Sequence, residues 1–400
     1  MDPRIKAWLV RDPDEKTRSE LEALVDTGQR DEIERRFESR LAFGTAGLRG
    51  LLGAGPSRMN RLVVRETTAG LAAYLLDTLP NAATMGVVVG FDGRHKSHVF
   101  AEDTACVLAA RGIRVHLFER DIPTPVCAFA VAHLGAAAAI VITASHNPPA
   151  YNGYKVYWHN GAQIIPPHDS GIAAAIDRAA RLDIPWCEPA EARGRGLIKT
   201  VGADLIEAYL SAIGDLSIHE SKAGRGDLRI AYTPLHGVGA RVAEVALRRA
   251  GFTNAQTAAS QRDPDPDFPT VSFPNPEEPG AMDEVIALAR KTEAALAVAN
   301  DPDADRFAVA ARTVDGDYQM LSGDDVGILL GANFIAKAPP RSVVATTIVS
   351  SRLLGIMARA RGVGYYETLT GFKWIAAGGF AREAKGDRFL FGYEEALGYT

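Results

Sequence analysis

The chain repeats one pattern along its length: a short apolar run, a polar turn that cuts it off, then residues at helical spacing. MGVVVGFDGR (85–94) reads as a buried strand ending in a Gly-Arg loop, with Phe100 to Ala110 as the helix behind it. GIRVHLF (112–118), AAAAIVITASHNP (136–148) and YKVYW (154–158) follow as further strands. Strands alternating with helices predict a parallel-rich α/β sheet, and they exclude an all-helical or all-β architecture.

The pattern starts again at DLRIAYTPLHGVG (227–239), followed by a helix over 240–250, the strand ALAVAN with its acidic loop, and the strand FAVAAR (307–312). It starts a third time from Asp324: a helix through Ile328 and Ile335, the strand SVVATTIVSS, a helix, GVGYYETLTGFKWI, and a last strand RFLFGYEEALGY (388–399). The reading is three consecutive α/β domains over 1–200, 201–315 and 316–400, the first carrying an N-terminal helical extension. In that extension Trp8 and Leu9, then Leu21, Leu24 and Val25, then Ile33 and Phe37 recur among charges and predict a helical pair. The proline-rich stretch 263–280 is an extended loop inside the second domain rather than a hinge.

Composition supports this reading. Hydrophobic residues are 47% of 400, enough to bury several cores. Lys and Arg total 44 against 49 Asp and Glu, a formal charge of −5, without the basic excess of a protein devoted to nucleic acid. Cys106, Cys127 and Cys187 are too scattered for a disulfide framework or a zinc site and read as buried small hydrophobes. The charged N-terminus lacks a signal-peptide core, and no apolar run approaches a membrane span, so a cytoplasmic location is expected.

Each domain ends a strand in an unusual polar loop, and in open α/β sheets ligands bind beyond the carboxyl ends of strands. The first loop, Thr143-Ala144-Ser145-His146-Asn147-Pro148-Pro149, presents Ser145 beside His146, with Lys155 ten residues on. A serine next to a histidine points to a nucleophile with a base, against an ordinary Ser/Asn turn with a solvated lysine. The second, Asp301-Pro302-Asp303-Ala304-Asp305-Arg306, clusters three carboxylates, which repel unless a cation neutralises them. Hard oxygen donors with open positions suit Mg²⁺ shared with a phosphate, while an EF-hand would need a glycine and a terminal glutamate that are absent. The third, GYEEALGY, offers Glu394 and Glu395 to sugar hydroxyls, or is simply an exposed acidic turn. Two Gly-rich turns, FGTAGLRG with Arg49 and Thr370-Gly371-Phe372-Lys373, offer donors to an anion.

Together, in this order and at these separations, the segments resemble the α-D-phosphohexomutase family, from about Phe43 to Tyr399. TASHNPPAYNGYK is similar to its phosphoserine loop, DPDADR to its metal loop and GYEEALGY to its sugar-recognition loop. FGTAGLRG, PSRMNRL and TGFKWI resemble most the phosphoglucomutase and phosphopentomutase branch that includes glucose-1,6-bisphosphate synthase. The resemblance implies a phosphosugar mutase, an intramolecular phosphotransferase interconverting sugar 1-phosphate and 6-phosphate (5-phosphate for pentoses), with phosphoglucomutase the leading expectation. Ser145 would carry the phosphoryl group, and Asp301, Asp303, Asp305 and an oxygen of phosphorylated Ser145 would hold Mg²⁺. Arg306 and Arg49 would stabilise transferring charge, Lys155 would move a proton, and Glu394, Glu395, Lys373, Thr370 and Gly371 would orient the sugar. Glucose 1,6-bisphosphate, or the cognate bisphosphate, is the implied activator, and small sugar phosphates are the implied partners.

The family pattern continues into a fourth, C-terminal domain that clamps the distant phosphate, and this sequence shows no counterpart of it. Weakened turnover, an uncovered apolar face near the C-terminus, and a partner domain or homodimer are expected from that difference. The sugar loop also lacks the histidine common in bacterial members, which leaves a second acid/base unassigned. The alternatives to a mutase are a non-catalytic sugar-phosphate-binding fragment and a Mg²⁺-dependent phosphatase.

Overall fold

A computed structural model describes residues 2–44, 47–219 and 221–400. The chain divides into two compact units, Met1–Leu205 and Ile206–Thr400.

The first unit holds the strands β1 (Leu48–Leu51), β2 (Val87–Phe91), β3 (Val115–Phe118), β4 (Ala138–Ile142), β5 (Tyr151–Trp158) and β6 (Ile198–Val201). They form one six-stranded sheet in the order β1-β5-β4-β2-β3-β6. β4, β2, β3 and β6 run parallel, while β5 is antiparallel to both β4 and β1. The parallel centre needs cover on both faces, and β2 and β4 accordingly have every residue buried. The helix Arg61–Thr78 starts where the Asn60 side chain accepts the Val63 N–H, and it packs on the helix His168–Ala179. The contact is close because Gly70 meets the Ile176 backbone, where a Cβ would stand 2.5 Å away. Cys106, Cys127 and Cys187 are all buried free thiols, as expected.

The N-terminal extension has three helices rather than a pair: Pro3–Arg11, Glu15–Asp26 and Arg30–Phe37. Gly28 stands at φ 68°, the left-handed conformation that stops a helix, so the apolar periodicity from Leu21 to Phe37 spans a break. Trp8 meets Phe37 edge-on at 6.0 Å, and Arg36 ties Glu20 to Glu32 at 2.6 and 2.7 Å.

The second unit contains two sheets. β7 (Ile230–Thr233), β8 (Ala255–Thr257), β9 (Leu296–Asn300), β10 (Phe307–Arg312) and β11 (Tyr318–Met320) lie in the order β11-β10-β9-β7-β8. β11 pairs with β10, so this sheet runs past the domain boundary expected at 315. β12 (Ser342–Thr347), β13 (Gly364–Thr368), β14 (Arg388–Glu394) and β15 (Gly398–Tyr399) form the other, in the order β13-β12-β14-β15. The two sheets share apolar packing: Leu397 joins Ala231, Ala297 and Ala308, and Tyr399 packs against the cluster of Ile230, Tyr232 and Val298. The helix Gly323–Ala336 opens with a reciprocal capping box between Ser322 and Asp325. The proline-rich stretch 263–280 contains neither helix nor strand. Ile348, Val349, Leu353, Ile356 and Leu369 are exposed around the C-terminal ends of β12 and β13. Among the described residues no helix is long and apolar enough to cross a membrane.

Candidate active site

The serine loop leaves β4 at its carboxyl end. Thr143 Oγ1 accepts the Ser145 N–H at 2.9 Å, and the backbone turns there with Ser145 at φ 54°. A left-handed conformation is uncommon for a residue with a side chain, and surrounding contacts must hold it. Ser145 is buried, with its Oγ 3.2 Å from His146 Nδ1. Arg49, exposed on β1, donates to Asn147 Oδ1 at 2.8 Å. Lys155 is buried on β5, in register with Val141 of β4. Antiparallel pairing of β1 and β5 delivers Arg49 opposite Gly153, which brings both basic residues to the strands that frame the loop. Of FGTAGLRG, Thr45 and Ala46 lie outside the described residues.

A second arginine reaches the same loop, and its role was not legible in FDGR. Arg94 donates to the carbonyls of Ser145 at 2.6 Å, Asn147 at 2.5 Å, Pro148 at 3.0 Å and Tyr151 at 3.3 Å. Its Nε stands 3.2 Å from Asp92, and both side chains are 1% exposed. Asp92 also accepts from Ser97 Oγ at 2.7 Å and from the Arg94 N–H at 3.0 Å. Burial pushes the Asp92 carboxyl upward, while Arg94 pulls it down. The only sequence signal is a charged pair placed directly after a fully apolar strand.

In the second unit, β9 ends at Asn300 and the acidic loop follows. Asp301 and Asp303 are buried and Asp305 is half-buried, with one oxygen of each within 4.8 Å of the others. Asp301 Oδ1 accepts the N–H groups of Asp305 at 3.2 Å and Arg306 at 3.0 Å, and Ala304 turns at φ 55°. The loop is braced from behind: Asn300 Nδ2 donates to Arg306 O at 2.7 Å, and the Val238 N–H donates to Pro302 O at 2.9 Å. Gly237 permits that approach, since a Cβ there would lie 2.3 Å from Pro302. Three hard oxygen donors at this spacing match the donor set of a Mg²⁺ site.

The hairpin of β14 and β15 brings the sugar loop beside the acidic loop, and the Phe307 N–H donates to Leu397 O at 3.0 Å. Glu394 is 8% exposed. Burial raises its carboxyl to about 7, opposed by Arg306 and by the Gly371 N–H and reinforced by Glu395 and Asp305. Glu395 turns the other way: its Oε2 accepts from Thr347 Oγ1 and Ser350 Oγ, each at 2.9 Å. Arg306 also lies 3.7 Å from Glu277. Gly371, at φ 119°, precedes the helix Phe372–Glu383, which carries Lys373 in its first turn, and Thr370 is exposed just before it. One unit thus gathers Ser145, His146, Arg49 and Lys155, and the other gathers the three aspartates, Arg306, Glu394 and the 370–373 turn.

Family profiles described as phosphoglucomutase/phosphomannomutase alpha/beta/alpha domains I, II and III match residues 40–182, 207–316 and 322–400. A probable phosphoribomutase of Schizosaccharomyces pombe is 41% identical over 100% of this chain and 70% of its own length. Human phosphopentomutase is 38% identical over 100% of the chain and 68% of its own length. A solved structure from Thermus thermophilus, assigned as a phosphomannomutase, superposes with a TM-score of 0.74 at 28% identity, covering 90% of this chain and 75% of that one. With all three profiles matched in order over most of its length, the chain belongs to the α-D-phosphohexomutase family of phosphosugar mutases.

Proposed function

We propose that this mutase interconverts a pentose 1-phosphate and the corresponding 5-phosphate, with Ser145 as the phosphoryl carrier. The observation that carries the reading is Ser145 itself: a buried serine held at φ 54° at the end of β4, inside the family's phosphoserine motif. The phosphoribomutase and phosphopentomutase relatives favour a pentose over the glucose expected from sequence.

Phosphoryl transfer asks a protein chiefly for positioning and charge neutralisation. In the proposed cycle the bond between Ser145 Oγ and phosphorus breaks, and a bond forms from phosphorus to the free hydroxyl of the sugar monophosphate. Lys155 takes the hydroxyl proton, the departing Ser145 Oγ takes up a proton in exchange, and a bisphosphate results. The bisphosphate turns over and returns its other phosphoryl group to Ser145 Oγ, leaving the isomerised monophosphate. Glu394 and Lys373 orient the sugar, Glu395 through its hold on Thr347 and Ser350 shapes the loop, and Arg49 and Arg306 offset charge. Asp301, Asp303 and Asp305 fit Mg²⁺, whose chemistry when bound is to neutralise phosphate oxygens.

The test follows ribose 1-phosphate by ³¹P NMR with Mg²⁺ and a trace of glucose 1,6-bisphosphate, beside glucose 1-phosphate and the Ser145→Ala variant. Ribose 5-phosphate formed without loss of total ester, and abolished in Ser145→Ala, is the expected result. Faster conversion of glucose 1-phosphate moves the assignment to hexoses. Release of free phosphate alone makes the chain a phosphatase, and no reaction by folded protein makes it a binding fragment.

A further inference from the structure

The reading of Ser145 as carrier leaves open what holds it in a conformation that serine does not favour. Four carbonyls of the loop, from Ser145, Asn147, Pro148 and Tyr151, converge on one guanidinium. Carbonyl dipoles aimed at a common point repel one another and become a liability once buried. Arg94 resolves this with its two terminal nitrogens, each serving two carbonyls, while Nε faces Asp92 at 3.2 Å. Both terminal nitrogens are therefore committed to the loop, and a guanidinium presents them in a fixed plane.

We propose that Arg94, with Asp92 as its counter-ion, is the positioning residue of the phosphoryl carrier, locking residues 145–151 so that Ser145 is presented for transfer. The proposal rests on the carrier reading above. The four hydrogen bonds that the Arg94 guanidinium makes to this loop all go to backbone carbonyls, with Asp92 beside it as counter-charge, so its hold on the carrier loop is geometric. Asp92 is in turn oriented by Ser97 Oγ, and Asn152 Nδ2 donates to Ser97 Oγ and His95 O at 2.9 Å each, so the bracket is tied to the strand that follows the loop. A lysine retains the charge but provides three donors on a flexible stem and cannot reproduce the plane.

The experiment measures Ser145 phosphorylation by intact mass in the full chain, against time and glucose 1,6-bisphosphate concentration with Mg²⁺. Wild type, Arg94→Lys, Arg94→Ala and Ser145→Ala are compared, and thermal unfolding of each variant counts the folded fraction. Misplacing a reacting group by about 1 Å costs on the order of 100-fold, so the folded fraction of Arg94→Lys should load about 100-fold more slowly, with half-saturation moved less than about threefold. A purely structural role would lower the unfolding temperature and leave that rate intact, which overturns the proposal. Should Arg94→Ala fail to fold, Arg94→Lys decides alone. Should neither fold, the Asp92→Asn variant, which keeps the side-chain volume, is held to the same rate criterion. No loading of folded wild type, or equal loading of Ser145→Ala, overturns the carrier reading and the proposal with it. Loading of wild type and Arg94→Lys at one rate overturns the proposal only.

Discussion

The serine loop and the acidic loop both follow a buried strand, yet they are stabilised by opposite means. The serine loop is closed from within: Arg94 answers its carbonyls and Asp92 answers Arg94, all in the protein interior. The acidic loop brings three carboxylates within 4.8 Å, where mutual repulsion favours a cation from solution. The comparison teaches that one loop meets its carbonyls with a guanidinium of the same chain, whereas the other gathers like charges that a cation would complete.

The strongest way to break the comparison is to remove the carrier. Ser145→Ala should lose phosphoryl loading entirely while the unfolding temperature stays within a few degrees, as judged by intact mass and calorimetry. The acidic loop should respond differently. Asp303→Asn removes one of two buried carboxylates of the cluster, and loss of metal-ion stabilisation worth several kcal/mol should slow loading on the order of 1,000-fold. In the same variant, the rise in unfolding temperature that Mg²⁺ gives the wild type should disappear. At 100 times the dissociation constant that rise reflects about 2.7 kcal/mol, which titration calorimetry checks directly. An undiminished Mg²⁺ effect in Asp303→Asn would remove this loop as the metal site.

Glu394 sharpens the contrast through pH. Its carboxyl is raised to about 7 chiefly by burial, so the folded state holds a proton that the unfolded chain, near 4.5, releases. Stability from this group is full below about 4.5 and is lost as pH rises through 7. The shift corresponds to about 3 kcal/mol, seen as a falling unfolding free energy over that window without Mg²⁺. Glu394→Gln should flatten the profile there. The smallest effect belongs to Arg49, which is exposed and makes one hydrogen bond to Asn147 Oδ1 at 2.8 Å. Arg49→Ala should leave stability within about 1 kcal/mol and lower kcat/KM about tenfold, because the loop is already fixed by Arg94.

The local sequence determined the three α/β repeats, because apolar runs of β2, β4, β9 and β12 can only be satisfied by burial between helices. It also determined the candidate serine and aspartates, since small polar residues and prolines directly after such runs can only form turns at strand ends. What it did not contain was the partner of each turn. FDGR lies about fifty residues before Ser145, and only the parallel pairing of β2 with β4 sets Arg94 under the loop. GYEEALGY shows two equivalent glutamates, and only the hydroxyls of Thr347 and Ser350 draw Glu395 aside while Glu394 is buried near the Gly371 N–H and Arg306. The break at Gly28 was likewise hidden by a hydrophobic pattern that continues across it. Spacing along the chain encodes which face is buried, whereas hydrogen bonds between distant loops depend on strand order, and strand order is a property of the packed sheet.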